Sequence, residues 1–427
     1  MAATEDAVNT LSARTLARVS RRLMPFLFAL YVFAYLDRVN VGYAALFIRH
    51  ELHFSDTVYG LGAGLFFLGY ALFEVPSNLV LLRAGPRRWI GLLMIVWGLI
   101  SASMPLVHTP AEFYSLRFLL GAAEAGFFPG IILYLTYWFP RQQRARAVTW
   151  FLAATTVAGV IGAPLSNLLL RLNGVAGIAG WKWLFVGEGI PSIVLGLSVF
   201  WVLTDKPEQA AWLEAEERNW LIHTLASEQA GISATHAVHL RHVWKNTILW
   251  RLAFIYFAIS VGLYSLSLWL PVVLKQISHA SDTRVIFLTS IPYLAATVAM
   301  LCIARSSDRG QERRWHLVAS ILAAMAGFGL SAWFSTPWLA MAAFSLAAAG
   351  IWGCFGPFWA LPTTMLRGTA AAGGIAIINS IGGLGGFCGP YLMGRVSDAT
   401  HSFNAALIAA AGLLLLAAGV ASLLRTE

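Results

Sequence analysis

From residue 23 to residue 424 the chain alternates long apolar runs with short polar breaks, most of them basic. Each run is about 20 residues or longer, which is what a helix rising about 1.5 Å per residue needs to cross a hydrocarbon core of about 30 Å. The runs fall near residues 23–48, 58–82, 88–107, 111–138, 145–170 and 182–203, then near 247–274, 284–304, 314–334, 338–362, 370–394 and 402–424. One long polar stretch, 204–246, separates the two sets. The pattern predicts an all-α polytopic membrane protein with twelve transmembrane helices. They divide into an N-terminal six-helix bundle over 1–203, a linker over 204–246 and a C-terminal six-helix bundle over 247–427.

The halves look like copies. Arg83-x-Gly85-x-Arg87-Arg88 follows the second run, and Asp308-Arg309-Gly310-x-x-Arg313-Arg314 follows the eighth. Gly159-x-x-Gly162-x-Pro164 in the fifth run is echoed by Gly386-x-x-Gly389-Pro390 in the eleventh. Repeated six-helix halves predict a site near the midplane between them, reached alternately from each side.

Composition agrees: 58% of residues are hydrophobic and 11% charged, a balance foreign to soluble domains. The net charge of +9 does not point to a nucleic-acid partner, because the basic residues sit in short clusters between apolar runs. With the N-terminus inside, about twenty basic residues fall on cytoplasmic segments, and about six (Arg49, Arg171, Lys182, Lys275, Arg284 and Arg395) on the other side. Both termini and the linker are therefore expected in the cytoplasm. The first 22 residues carry Arg14, Arg18, Arg21 and Arg22 and lead into a run without an obvious cleavage site, which predicts a retained first span. Cys302, Cys354 and Cys388 lie inside apolar runs without metal spacing. His236, His239 and His242 in the linker lack a cysteine or carboxylate to complete a metal site. No metal, cofactor or nucleophile-base constellation is predicted, so an enzyme is not expected.

The chemistry lies in charges inside the spans, each of which costs about 2.5–3.5 kcal/mol to insert and therefore marks a paired or functional group. The first half holds Asp37 and Arg38 in span one, and Arg117 and Glu124 in span four. Asp37 is about 14 residues, or roughly 21 Å, from the start of its span, and Arg117 about 6 residues, or roughly 9 Å, from the opposite face. The two reach nearly the same level, so an Asp37–Arg117 pair is expected. Arg38 points about 100° away from Asp37 and is left for a ligand. Glu124 shares a helix face with Arg117. With both acids ionised the four charges cancel. Protonating Asp37 and Glu124 leaves two uncompensated arginines that attract a carboxylate. Glu74 and Glu188 are expected to make gating or structural salt bridges, Glu74 with Arg83, Arg87 or Arg88, with contact to the substrate as the alternative for both.

Three segments, Tyr35-Leu-Asp-Arg38-Val-Asn-Val-Gly42, Gly69-Tyr70-Ala-Leu-Phe-Glu74-Val-Pro-Ser-Asn78 and Arg117-Phe-Leu-Leu-Gly-Ala-Ala-Glu124-Ala-Gly-Phe-Phe-Pro-Gly130, carry a family resemblance, as does Gly180-Trp-Lys-Trp-Leu-Phe185. They resemble the anion:cation symporter branch of the major facilitator superfamily, in particular the tartrate, phthalate and 4-hydroxyphenylacetate permeases of bacteria. The resemblance covers essentially the whole chain. It implies the major facilitator fold, proton-coupled uptake of a small organic anion by alternating access, a multi-pass place in the bacterial inner membrane, and a monomer. It also implies that Asp37 and Glu124 couple protons and that Arg38 binds the substrate carboxylate. Tyr35, Tyr70, Trp359 and Asn379 match substrate-binding positions of the family. Thr155, Thr156 and Gly356 beside Phe355, Phe358 and Trp359 stand where carriers of sugar acids have more amides and hydroxyls, which points away from a heavily hydroxylated substrate. Asn78 and Leu82 replace the glycine and acid usual in the turn after span two, while Asp308 keeps the acid in the second half. The runner-up reading is a proton-coupled antiporter that expels drugs or metabolites, against which arginines in the cavity argue.

Overall fold

A computed structural model describes residues 2–232, 246–365 and 369–424. His236, His239 and His242 lie outside the described residues. The helices are α1 (Ala2–Glu51), α2 (Asp56–Ala84), α3 (Pro86–Ala102), α4 (Pro110–Glu124), α5 (Phe127–Thr136), α6 (Arg141–Leu170), α7 (Gly180–Val202), α8 (Ala215–Ile232), α9 (Thr247–Ser278), α10 (Asp282–Leu288), α11 (Ser290–Gly310), α12 (Arg314–Trp333), α13 (Pro337–Gly353), α14 (Phe355–Met365), α15 (Thr369–Thr400) and α16 (Asn404–Ser422). Among the described residues eleven helical segments are long and apolar enough to span a membrane. The glycine-rich α15, 32 residues long, stands where the eleventh span is expected.

Spans four, eight and ten are each broken into two helices: α4–α5, α10–α11 and α13–α14. Proline explains the places. Pro129, Pro292 and Pro357 each lie four or five residues beyond the last residue of the first helix, where the ring lacks an N–H and clashes with the carbonyl one turn back. Seven other prolines sit inside continuous helices. Helix starts carry the caps their sequences offer. Ser55 accepts from the Val58 N–H, Asn246 accepts from the Ile248 N–H, and Thr109 forms a capping box with Glu112.

The linker has structure of its own. It contains α8, and α1 begins far ahead of the membrane-spanning run to meet it. Glu217 of α8 is fully buried and accepts from Arg14 Nε at 3.0 Å and from Arg18 Nη1 at 2.7 Å. Glu214 adds Arg18 Nη2 at 2.9 Å. Two charged stretches that each looked like solvated polar segments dock on one another.

The repeat extends to contacts. In the first half Arg87, at the start of α3, donates to the Phe200 carbonyl near the end of α7; in the second half Arg314, at the start of α12, donates to the Ser422 carbonyl at the end of α16. Both guanidiniums sit at the negative end of a helix dipole. Arg49 pairs with Asp56, and Lys275 pairs with Asp282 at 2.7 Å, each across the turn that follows the first span of its half. The repeated glycines behave alike. A Cβ at Gly162 would meet Leu36 of α1, and one at Gly159 would meet Tyr293 of α11; Gly389 faces Val261 of α9, and Gly386 faces Phe67 of α2. In each half one glycine packs on the half's own first span and the other on the opposite half.

The halves meet tightly on the side of the membrane far from the termini. The Tyr59 hydroxyl donates to the carbonyls of Val41 (3.1 Å) and Leu268 (3.0 Å). Asp398 of α15 accepts from the backbone N–H groups of Asp56 (3.0 Å) and Thr57 (2.7 Å), capping α2 from the other half. Ser397 donates to Asp56 at 2.6 Å, and within the second half Trp269 donates to the Pro390 carbonyl at 3.1 Å. That side is sealed.

Candidate functional site

α1 turns by about 100° per residue, so Asp37 and Arg38 face different neighbours. Asp37 points into the N-terminal bundle, 1% exposed, and accepts from Ser101 Oγ of α3 at 2.8 Å and Ser192 Oγ of α7 at 2.6 Å. Arg38 points to the interface between the halves, where it binds Glu124 Oε1 through Nε at 3.0 Å and through Nη2. The expected Asp37–Arg117 pair does not form. Equal depth was a sound inference, but depth says nothing of azimuth, and Asp37 is turned away from α4.

Arg117 is wholly buried, and none of its three guanidinium nitrogens has a hydrogen-bond partner among the described residues. Its charge rests over the Phe66 ring at 5.0 Å, and Arg38 lies 5.6 Å from the same ring. The ring's negative face offsets part of the cost of the buried cation, by about 0.5–2 kcal/mol. Of the four charges only Arg38 shows appreciable side-chain exposure, 12%, against 2% for Glu124. Arg38 is thus the one of the two arginines that reaches the space between the halves, and Arg117 stands behind Phe66.

Aromatic rings surround Arg38. Tyr70 lies 5.3 Å below its guanidinium, and Tyr31 and Tyr264 are also close. Tyr264 packs on Phe67 at 4.0 Å. From the second half, Tyr256 stacks on Phe358 at 5.1 Å and meets Trp359 edge-on at 4.9 Å. Trp359, Tyr70 and Asn379 are half-buried at this interface, whereas Tyr35 is 7% exposed within the packed core. Asn379 of α15 donates to Glu74 Oε1 of α2 at 3.1 Å. The seventh-span tyrosines Tyr256 and Tyr264 were missed in the sequence, although their spacing of eight puts them near one helix face. Ser101 and Ser192 carried no signal, since serines are common in membrane helices.

The gating expectations change. Glu74 pairs with Asn379 rather than with a basic residue of the α2–α3 turn, because that turn is already served. Asp205, just beyond α7, accepts from the Arg87 N–H at 2.9 Å and sits against Gly85, whose φ of +84° suits glycine. Arg83 and Arg88 are exposed. In the second half Asp308 pairs with Arg313, and Arg309 is exposed. Glu188 is fully buried and has no ion pair among the described residues. Its Oε1 accepts from Ser166 Oγ at 3.3 Å, and Ser192, one turn on, links its helix to Asp37.

The family profile described as Major Facilitator Superfamily matches residues 27–390. The chain belongs to this superfamily. It is 48% identical over 417 residues to a protein of Agrobacterium vitis named "Putative tartrate transporter", covering 97% of this chain and 92% of that one. It is 40% identical to a "Quinolone resistance transporter" of Acinetobacter baumannii, covering 91% and 90%. Among solved structures it shares the fold of a bacterial homolog of the human lysosomal transporter Spinster, with a TM-score of 0.79 at 16% identity and 96% of each chain covered. The xylose transporter XylE from E. coli superposes with a TM-score of 0.76 at 15% identity, covering 96% and 97%. The twelve-span, two-bundle reading stands, and the protein is a transporter rather than an enzyme.

Proposed function

We propose that this transporter carries a small organic anion together with protons by alternating access, from the far side of the membrane into a bacterial cytoplasm that holds both termini. The orientation rests on the basic bias of the terminal side. The described state is then closed to the outside. The name of the 48% identical relative supports a carboxylate substrate.

One observation carries the reading: Arg38, the exposed cation of the site, already holds a carboxylate, that of Glu124. A substrate carboxylate needs the same two guanidinium N–H groups. Glu124 and the anion therefore compete for Arg38, and a proton on Glu124 ends the competition. Arg117, without an acceptor among the described residues, adds a positive field behind Phe66. Asp37 sets the remaining charge: with Asp37 and Glu124 both protonated the four-residue group changes from neutral to +2. Linkage requires the converse, that anion binding promotes proton uptake. Trp359, Tyr70 and Asn379 complete the walls.

The test is proton uptake on binding. Adding 4-hydroxyphenylacetate to purified protein in weakly buffered detergent should alkalinise the medium in proportion to site occupancy. Saturable binding with no proton uptake at any pH between 5 and 8 would overturn the reading. A second reading, proton-coupled export, draws on the name of the 40% identical relative; it uses the same site and predicts that an inward proton gradient empties vesicles of the acid.

A further inference from the structure

Glu74 and Glu188 are the acids of the spans that this exchange leaves unused, and of the two Glu74 lies at the interface between the halves. It lies on α2 one turn beyond Tyr70, half-buried at the interface between the halves. Its only partner among the described residues is Asn379, on Oε1; no ion pair reaches it. An ionised carboxylate can only accept, so the Asn379 contact fixes the amide with Nδ2 toward Glu74 and leaves the amide oxygen as a second acceptor. On the other side of Tyr70 lies Arg38, 5.3 Å from that ring. Four residues of helix separate Tyr70 from Glu74, about 6 Å along the axis. Tyr256 stands within electrostatic reach of both Arg38 and Glu74 and is backed by Phe358 and Trp359. The order across the site is cation, aromatic wall, acceptors.

We infer that Glu74 selects the substrate: it accepts a hydrogen bond from a donor group, a hydroxyl, ring N–H or ammonium, on the end of the anion away from Arg38. The inference rests on the proposed reading that Arg38 holds the substrate carboxylate. The chemical class it names is a small acid with an aromatic ring fitting the wall and a hydrogen-bond donor at the end away from its carboxylate. The same carboxylate excludes a second anionic group at that end, because like charges in a desolvated site repel.

Three acids of one shape separate the possibilities: 4-hydroxybenzoate, benzoate and terephthalate. Binding to the full-length protein is measured by calorimetry in detergent, and uptake in proteoliposomes. The wild type is expected to favour 4-hydroxybenzoate over benzoate by about 10- to 100-fold, the range for a hydrogen bond to a charged group, and to reject terephthalate. Glu74→Gln should bring the first ratio to within about 3-fold of unity and admit terephthalate, and Glu74→Asp should restore much of the discrimination. An unchanged ratio in Glu74→Gln, or a wild type that prefers benzoate or terephthalate, overturns the inference. Arg38→Ala distinguishes the failures. If that variant still binds all three acids as the wild type does, the carboxylate site itself has been misassigned.

Discussion

The seal on the far side is made by glycines set against backbone, and enlarging one should shift the balance between conformations. A Cβ added at Gly64 would lie 2.7 Å from the Phe387 carbonyl oxygen of the other half, and one at Gly42 would lie 2.8 Å from the Ser267 carbonyl oxygen. Neither neighbour is a side chain that can swing away, so the helices must separate by several tenths of an ångström. Overpacking of this kind costs about 1–3 kcal/mol. When the halves part on the far side the strain vanishes, so the whole cost falls on the closed state. Gly64→Ala should therefore change the ratio of far-side-open to far-side-closed protein by about 5- to 150-fold. Spin labels at the far-side ends of α2 and α15, in a background lacking Cys302, Cys354 and Cys388, report that ratio as a distance distribution. Gly412→Ala is the control, because nothing lies within 4 Å of a Cβ there. Gly64→Ala with an unchanged distribution, or Gly412→Ala with an equal shift, would refute the assignment of this seam as the gate.

Other outcomes follow from the same contacts. Arg117→Met should keep or raise the unfolding temperature, since it removes a buried cation with no acceptor, yet abolish transport; lost folding with retained specific activity would contradict the role given to Arg117. Gly85→Ala should lower stability by about 1–3 kcal/mol in thermal unfolding, because its φ of +84° and ψ of 150° suit only glycine. The α8–α1 dock should loosen in acid. Arg18 and Arg14 hold the Glu214 carboxyl below its ordinary range, so its contribution is complete above about pH 4.3 and fades as the pH falls through the lowered value. The protection of α8 amides, their exchange rate measured against the intrinsic rate at the same pH, should then fall below about pH 4, and protection free of that acid step would tell against the ion-pair cluster as the dock.

The spans and the charges inside them were legible because hydrocarbon imposes length and polarity rules on every helix. The partners of those charges were only partly legible. Rise per residue gives a level for Asp37 along its helix but not a direction, and its serine cage depends on how α1 is rotated against α3 and α7, which apolar neighbours on every side leave unmarked. Adjacent numbering did separate Arg38 from Asp37, and that division survives in the structure. The dock of α8 on the start of α1 was hidden for another reason: its arginines and glutamates are about 200 positions apart in sequence. By contrast the paired turns Arg49–Asp56 and Lys275–Asp282 carry the same charge signs at the same spacing of seven, a sign of the internal repeat that was missed in the sequence.

The central claim is that a proton on Glu124 frees Arg38 for the substrate. Glu124→Gln reconstituted into vesicles isolates it: the amide cannot titrate, so counterflow exchange of the labelled acid should persist while accumulation driven by an inward proton gradient disappears. Accumulation in Glu124→Gln that follows the gradient as steeply as in the wild type would contradict the account.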